Sequence, residues 1–256
     1  MPHCVHLASD LHLGAPNREA SHERERRFVT WLREAAEGTG FAEGAAATEI
    51  HVVGDVFDFW FEYRHSVPKG GVRVLGALAE LADGGLPVHF HVGNHDLWTF
   101  GYLENEVGVA VHRAPVRATW DGLTCLVGHG DGLGPGDHGY KRLKRLFTSR
   151  ICQAAFRRVH PDLGIALANR WSAASRRKGE LPVTSVEQEH LYQHALHLLQ
   201  TEEGKDVDAF VFGHRHAPLD VALPGGHARY LNLGDWISHF TSAVVKDGQI
   251  SLVHHG

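Results

Sequence analysis

Short apolar runs, rich in β-branched residues, recur along the chain and alternate with segments of helical spacing. Six runs predict strands, at residues 5–9, 50–53, 88–92, 124–127, 209–212 and 230–233. Three segments place apolar residues on one helical face, at residues 19–37, 72–83 and 186–199. This alternation predicts βαβ units with a largely buried sheet. The glycine-rich chain after residue 220 predicts an antiparallel section.

Residues 141–159 differ from the rest, because their apolar positions form one helical stripe surrounded by basic residues. The stripe comprises Leu143, Leu146, Phe147, Ile151, Ala154, Ala155 and Val159. Proline and glycine in 160–164 predict the end of this helix, and helical spacing resumes at Leu163. Residues 138–180 hold eleven Lys and Arg against two Asp and Glu, whereas the whole chain has a net charge of −5. We therefore expect a separate unit here with its own partner.

Composition is that of an ordinary soluble protein, with 43% hydrophobic and 21% charged residues. The 256 residues suffice for one large α/β domain with an insertion. We expect neither a membrane-spanning helix nor a secretory signal, because no apolar run is long enough and the first residues lack a basic segment. Three widely spaced cysteines argue against a disulfide framework and favour a reducing cytoplasm.

Polar clusters follow five of the predicted strands directly, and four of the five begin with glycine. They read DLH at 10–12, GDVFD at 54–58, GNHD at 93–96, GHGD at 128–131 and GHRH at 213–216. Groups at the carboxyl ends of strands in an α/β sheet converge on one crevice. The donors expected there are Asp10, His12, Asp55, Asn94, His129, His214 and His216.

Carboxylate, amide and imidazole donors without thiolate favour Mn, Fe or Zn. Seven donors exceed the needs of one ion and predict two divalent ions that share a carboxylate. Such a pair, about 3.5–4 Å apart, can hold a phosphoryl group and generate a nucleophile from water.

His95 follows the expected ligand Asn94 and should point elsewhere, so we interpret it as a transition-state stabiliser or general acid. Asp96 is expected to orient or polarise it. Taken singly, each cluster is more often a turn than a ligand site. Asp58 is equally interpretable as a helix cap. Asp131 and Arg215 are equally interpretable as residues that contact the ligands from behind or as solvated side chains. The sequence has no GxxxxGK[ST] or GxSxG motif, which leaves P-loop and serine-hydrolase functions without support. Its GxGxxG match, GPGDHG at 134–139, does not directly follow a predicted strand, so it does not indicate a dinucleotide fold.

In this order, the five clusters resemble the motifs of the calcineurin-like metallophosphoesterases. The resemblance implies a four-layer αββα sandwich with a bimetal site. It places Asp10, His12, Asp55 and His216 on one ion. It places Asp55, Asn94, His129 and His214 on the other, with Asp55 bridging the ions and His95 touching phosphate.

Within that superfamily, DLHLG, GDVFDFWFEY, GHGDGLGPGDHGYK, GHRHAP and LNLGDW resemble the UDP-2,3-diacylglucosamine hydrolases of lipid A biosynthesis. The resemblance implies a core of residues 1–137 and 186–256 with an inserted basic helical cap at 138–185. It implies attack of a metal-bound hydroxide on the α-phosphorus, which releases UMP and 2,3-diacylglucosamine 1-phosphate. Asp137, Ser172 and Arg176 are the substrate contacts that it implies.

The resemblance also implies manganese as the metal, a lipid-nucleotide substrate, contact with the inner leaflet of the membrane, and a cytoplasmic, peripherally associated protein. A nucleic-acid partner is not expected, since Phe147, Phe156 and Trp171 should pack inward. The third motif reads GNHD where many of these hydrolases have GNRD. A phosphodiesterase or phosphatase acting on another nucleotide or phosphoester therefore stays open, as does a non-catalytic scaffold.

Overall fold

The computed structural model describes residues 2–136, 138–178 and 185–256, and of residues 173–178 it describes the helical backbone alone. The strands of the first half are β1 (Cys4–Ala8), β2 (Glu49–Val53), β3 (Val88–His91), β4 (Ala110–His112), β5 (Val116–Trp120) and β6 (Leu123–Gly128). Those of the second half are β7 (Ala209–Phe212), β8 (Pro218–Ala222), β9 (Arg229–Leu233), β10 (Thr241–Lys246) and β11 (Gln249–His254). The helices are α1 (Arg18–Glu37), α2 (Val72–Asp83), α3 (His138–Thr148), α4 (Arg150–Phe156), α5 (Pro161–Lys178) and α6 (His190–Leu199).

The strands form two sheets, of order β11-β10-β1-β2-β3-β4 and β5-β6-β7-β9-β8. Strands β1 to β4 are parallel, and so are β6, β7 and β9, while β5, β8, β10 and β11 pair antiparallel with their neighbours. All six predicted strands are present. The antiparallel section expected after residue 220 consists of two antiparallel pairs, β10 with β11 and β8 with β9.

Three apolar layers separate four layers of secondary structure. Helices α1 and α2 pack on the outer face of the first sheet through Phe28, Leu32 and Leu78, which belong to one buried cluster. A second cluster fills the space between the sheets, and a third joins α6 to the second sheet through Leu191 and Phe212. This is the expected α/β, four-layer αββα sandwich.

The predicted helices are confirmed, with ends that local chemistry explains. The side chain of Asn17 accepts a hydrogen bond from the amide of Ala20 at the start of α1, and Gly38 ends that helix in the left-handed conformation. The segment predicted to be helical from residue 186 begins with a single 3₁₀ turn, Val186–Gln188. Helix α6 proper starts after Glu189, whose carboxylate accepts from the amide of Tyr192.

Helices α3, α4 and α5, called the insert helices below, lie between β6 and α6 in the chain. The helix predicted over 141–159 is divided at Ser149 into α3 and α4, and Pro161 opens α5. The apolar stripe of these helices is largely exposed, contrary to the inward packing expected of Trp171, which is 57% exposed. The exposed apolar side chains are Leu143, Leu146, Ile151, Val159, Leu163, Leu167 and Trp171.

Candidate active site

The polar clusters lie where β1, β2, β3, β6 and β7 end, at one edge shared by both sheets. The backbone there is unusual, because five of the seven expected donors adopt a positive φ that side chains rarely take. They are Asp10, His12, Asp55, His214 and His216, with φ between 44° and 69°. Such conformations persist where surrounding structure enforces them, and they cluster at functional sites.

The glycines that begin two of the clusters leave room for the donors of other clusters. A Cβ atom on Gly213 would lie 2.6 Å from Oδ2 of Asp10, and one on Gly93 would overlap Oδ1 of Asp55. Each motif therefore requires glycine because a carboxylate from a different strand packs against its backbone.

One half of the crevice brings together Asp10, His12 and His216. The Nε2 atom of His216 lies 3.2 Å from Oδ1 of Asp10 and 3.1 Å from Nε2 of His12. Two donor nitrogens and a carboxylate oxygen that converge in this way can hold a metal ion.

The other half brings together Asn94, His129 and His214, with Asp55 between the halves. Nε2 of His129 lies 3.3 Å from Oδ1 of Asn94 and 3.3 Å from Oδ2 of Asp55. The same Oδ2 atom lies 3.7 Å from Nε2 of His12. Asp55, His129 and His214 form a second group that could hold a metal ion, and the Asp55 carboxylate faces both groups.

The electrostatics of the crevice suit cations. Although burial raises them, the pKa values of Asp10 and Asp55 are held below the usual range by neighbouring histidines, chiefly the charges of His216 and His129 respectively. Burial opposes charge on His12, but the nearby carboxylates of Asp10 and Asp58 raise its pKa to about 10. Oδ1 of Asp10 is buried without a hydrogen-bond donor. The ionised carboxylates favour positive charge in the crevice, and a divalent metal would take the place of the histidine protons. Together with the unsatisfied oxygen of Asp10, these groups form a donor set that divalent metals fit.

Hydrogen bonds behind the donors set their orientation. His129 donates from Nδ1 to the carbonyl of Val53, 3.0 Å away, so Nε2 is the nitrogen that faces Asn94 and Asp55. Sequence reasoning missed Arg24, a buried residue of α1 that donates to the carbonyls of Leu11 and His12. No motif surrounds it, and only its basic character on the buried face of a helix could have indicated a role.

His95 lies beside the two groups as expected, with its ring centroid 4.6 Å from that of His12. The role expected of Asp96 is wrong in one respect, because its carboxylate does not orient the His95 ring. Its oxygens accept from the amides of Gly93 and Val56, at 2.6 and 2.9 Å, and burial and the charge of Asp55 raise its pKa to about 7. The His95 ring instead donates from Nδ1 to the carbonyl of Asp58, 2.7 Å away. Asp96 thus positions the loops that carry the donors.

The structure shows what contacts Asp58, Asp131 and Arg215 make, three residues whose roles the sequence left open. Asp58 caps no helix, since residues 59–71 contain none, and its carboxylate lies 3.7 Å from Nδ1 of His12. Asp131 is buried and pairs with Lys144 of α3, whose Nζ lies 2.7 Å away. Arg215 pairs with the buried carboxylate of Glu189 at 3.2 Å.

The insert helices lie against the mouth of the crevice. Ser172 of α5 is buried, with its hydroxyl 3.4 Å from Nδ1 of His95. Trp98 donates from its indole nitrogen to the carbonyl of Phe147, 2.7 Å away. A cavity of about 460 Å³ lies between core and insert helices and is lined by His129, Lys144 and Arg150, among others. Of the expected substrate contacts, Asp137 and the side chain of Arg176 lie outside the described residues.

Comparison with known proteins agrees with this geometry. The family model described as "Calcineurin-like phosphoesterase" matches residues 5–218. A UDP-2,3-diacylglucosamine hydrolase from Porphyromonas gingivalis is 35% identical, with 95% of this chain and 94% of that protein covered. A UDP-2,3-diacylglucosamine hydrolase from Aeromonas hydrophila is 26% identical, with 96% of each chain covered.

Among solved structures, a dimetal phosphatase from Danio rerio aligns with a TM-score of 0.47 at 12% identity and covers 99% of each chain. The family match covers most of the chain, and the two relatives match it over nearly their whole length. These matches agree with the convergence of Asp, Asn and His donors at the strand ends. The chain therefore belongs to the calcineurin-like phosphoesterases and is a hydrolytic enzyme of that metal-binding family.

Proposed function

We propose that this enzyme hydrolyses the pyrophosphate bond of UDP-2,3-diacylglucosamine and releases UMP and 2,3-diacylglucosamine 1-phosphate. The observation that carries the proposal is the pairing of a phosphoesterase crevice with helices that expose an apolar, basic surface beside it. The hydrolases from P. gingivalis and A. hydrophila support the choice of substrate.

The proposed metal ligands are the seven donors predicted from the sequence, with Asp55 shared between two ions. Mn²⁺ is our first choice, with Fe or Zn as alternatives, because carboxylate and amide oxygens accompany the imidazoles. When bound, two such ions activate a water molecule and neutralise charge on the phosphoryl group.

The residues of the chain then orient the substrate and bear its charge. The hydrogen bond from Nδ1 of His95 to the Asp58 carbonyl leaves Nε2 to donate to a phosphoryl oxygen when the ring is protonated. The hydroxyl of Ser172 approaches the same ring from α5, so it can contact the substrate or position His95. Asp96 holds the backbone turns after β2 and β3, and through them Asp55, Asn94 and His95.

We propose that residues 138–185 act as one cap that binds the lipid part of the substrate. Exposed apolar side chains on all three insert helices lie among exposed arginines, among them Arg142, Arg150 and Arg170. Apolar side chains can cover acyl chains, and arginines suit phosphate groups. The same surface supports peripheral contact with the anionic inner leaflet from the cytoplasm. None of the described helices is long and apolar enough to cross a membrane.

The test is product analysis in ¹⁸O-enriched water with the lipid nucleotide in detergent and a panel of divalent ions. Attack at the α-phosphorus places the label in UMP, and attack at the β-phosphorus places it in the sugar phosphate. We expect labelled UMP and the highest rate with Mn²⁺. Label in the sugar phosphate would contradict the proposed site of attack, and no release of UMP with any ion would contradict the substrate.

His95, which stands where many hydrolases of this group have arginine, favours one alternative. An imidazole cannot make the bidentate contact with phosphate that a guanidinium makes, so this position does not require a diphosphate and suits a simple phosphodiester as well. A soluble aryl phosphodiester turned over with a higher kcat/KM than the lipid nucleotide would favour this second function.

A further inference from the structure

A second group of donor side chains lies on the strands of the first sheet rather than in the loops that follow them. Glu49 and His51 are on β2, His89 and His91 are on β3, and His112 is on β4. Register places His51 beside His89 and His91 beside His112. Since side chains two residues apart share one face of a strand, all five side chains meet on that face.

Three of these side chains converge as metal ligands do. Oε1 of Glu49 lies 2.6 Å from Nε2 of His51 and 3.1 Å from Nε2 of His89, and the three residues could hold a metal ion. An ion about 2.0–2.2 Å from each donor needs donors roughly 3.3 Å apart. The two Glu49 distances lie within about 1 Å of that value, and the rings of His51 and His89, which are stacked at 12°, would turn toward the ion as it binds. Two imidazoles and one carboxylate form a zinc-type set that leaves a position for water.

Each of the three donors is held from behind by a further side chain. Nδ1 of His51 is 2.9 Å from Nε2 of His91, and Nδ1 of His89 is 2.7 Å from Nε2 of His112. When Nδ1 is the donor in each of these bonds, Nε2 of His51 and of His89 is the nitrogen available to an ion. The indole of Trp120 donates to Oε2 of Glu49, 3.1 Å away, which leaves Oε1 toward the histidines. Such outer hydrogen bonds select the ligating atom in metal sites.

Access from solvent agrees with the geometry. The side chains of Glu49 and His89 are 19% and 24% exposed, so an ion can enter from solvent.

We propose that Glu49, His51 and His89 bind one zinc-type divalent cation, separately from the crevice. The ion would link β2 to β3, the strands that lead directly to Asp55 and to Asn94. The site goes beyond the proposed function and does not depend on the substrate.

The test counts tightly bound Co²⁺ and Zn²⁺ on the full chain in a background in which both halves of the crevice are altered, by Asp10→Asn and His12→Gln in one and by Asp55→Asn and His129→Gln in the other. We expect one equivalent to remain, with cobalt absorption typical of four or five N and O ligands. His89→Gln should remove it, whereas His65→Gln, an exposed histidine outside the group, should not. His112→Gln keeps all three ligands and should weaken binding roughly 10- to 100-fold.

Melting temperature gives a second measurement that does not depend on activity. Zn²⁺ should raise the melting temperature of the crevice variant and of its His65→Gln form, but not of its His89→Gln or Glu49→Gln forms. Two results would overturn the proposal: a crevice variant that binds no equivalent of metal, or equal binding with and without His89→Gln. Either would leave a hydrogen-bonded histidine cluster with a structural role only.

Discussion

The crevice and the insert helices depart from ordinary protein architecture in opposite directions. In the crevice, the ionised side chains of Asp10 and Asp55 are almost fully buried. On the insert helices, Ile151 and Leu163 are 82% and 67% exposed. Buried charge and exposed large apolar surface both cost folding free energy, so each indicates a contact that the isolated chain does not make. The difference supports the proposal that cations occupy the crevice and that the insert helices bind the apolar part of the substrate, so that reaction and substrate selection would lie in separate parts of the molecule.

Asp55→Asn should have the largest effect and should abolish turnover of every substrate. Asparagine keeps an oxygen that can accept from the amide of His95, but it removes the charge that faces both halves of the crevice. We expect kcat to fall roughly 10³-fold or more for the lipid nucleotide and for a soluble phosphodiester alike. Steady-state kinetics with both substrates measures this, and an unchanged circular dichroism spectrum serves as the folding control. Undiminished turnover would refute the bridging role.

His95→Gln tests whether the residue acts on the reacting phosphate. Glutamine can still bond to the Asp58 carbonyl but cannot carry positive charge, so kcat should fall roughly 10²-fold with little change in metal content. Metal analysis beside the kinetics distinguishes this role from that of a ligand. A large loss of bound metal would make His95 a ligand instead.

Ile151→Ser combined with Leu163→Ser tests the insert helices without touching the crevice. Both side chains are exposed, so the fold should be unaffected, while the KM for the lipid nucleotide should rise roughly tenfold through lost apolar contact. Cosedimentation with anionic vesicles should fall in parallel, and turnover of a soluble phosphodiester should not change. Val72→Ser, equally exposed but on α2, is the matched control. Equal effects on lipid and soluble substrates would remove the separation of roles.

Trp98→Phe should have the smallest effect and tests how the two regions are joined. Phenylalanine keeps the contacts with Phe147 and Phe156 but removes the hydrogen bond to the Phe147 carbonyl, which contributes about 1 kcal/mol. Limited trypsin digestion of the arginine-rich insert helices should become about fivefold faster. Trp31→Phe is the control, because that indole nitrogen is buried without a hydrogen-bond partner. Equal digestion of both variants would show that the bond does not hold the insert helices.

The crevice could be predicted almost entirely from the sequence, because parallel strands impose a common end on their following loops. Asp10 follows a predicted strand directly, and Asp55 and Asn94 follow theirs after one glycine. That proximity alone determined that they would meet. The contacts of Asp58 and Arg24 could not be predicted. The contact of Asp58 with His12 depends on how the loop after β2 folds back, and that of Arg24 with the Leu11 carbonyl depends on how α1 packs on the sheet.

The sequence by itself determined the alternation of strands and helices, the donor residues and the basic helical segment, because each is encoded in local periodicity or in residues adjacent along the chain. Only the tertiary structure decided that Asp96 bonds to backbone amides, that the apolar stripe of the insert helices is exposed, and that Glu49, His51 and His89 converge on β2 and β3. Each of these depends on which surface of a strand or helix meets another element. Hydrophobic periodicity identifies that surface but does not specify what packs against it.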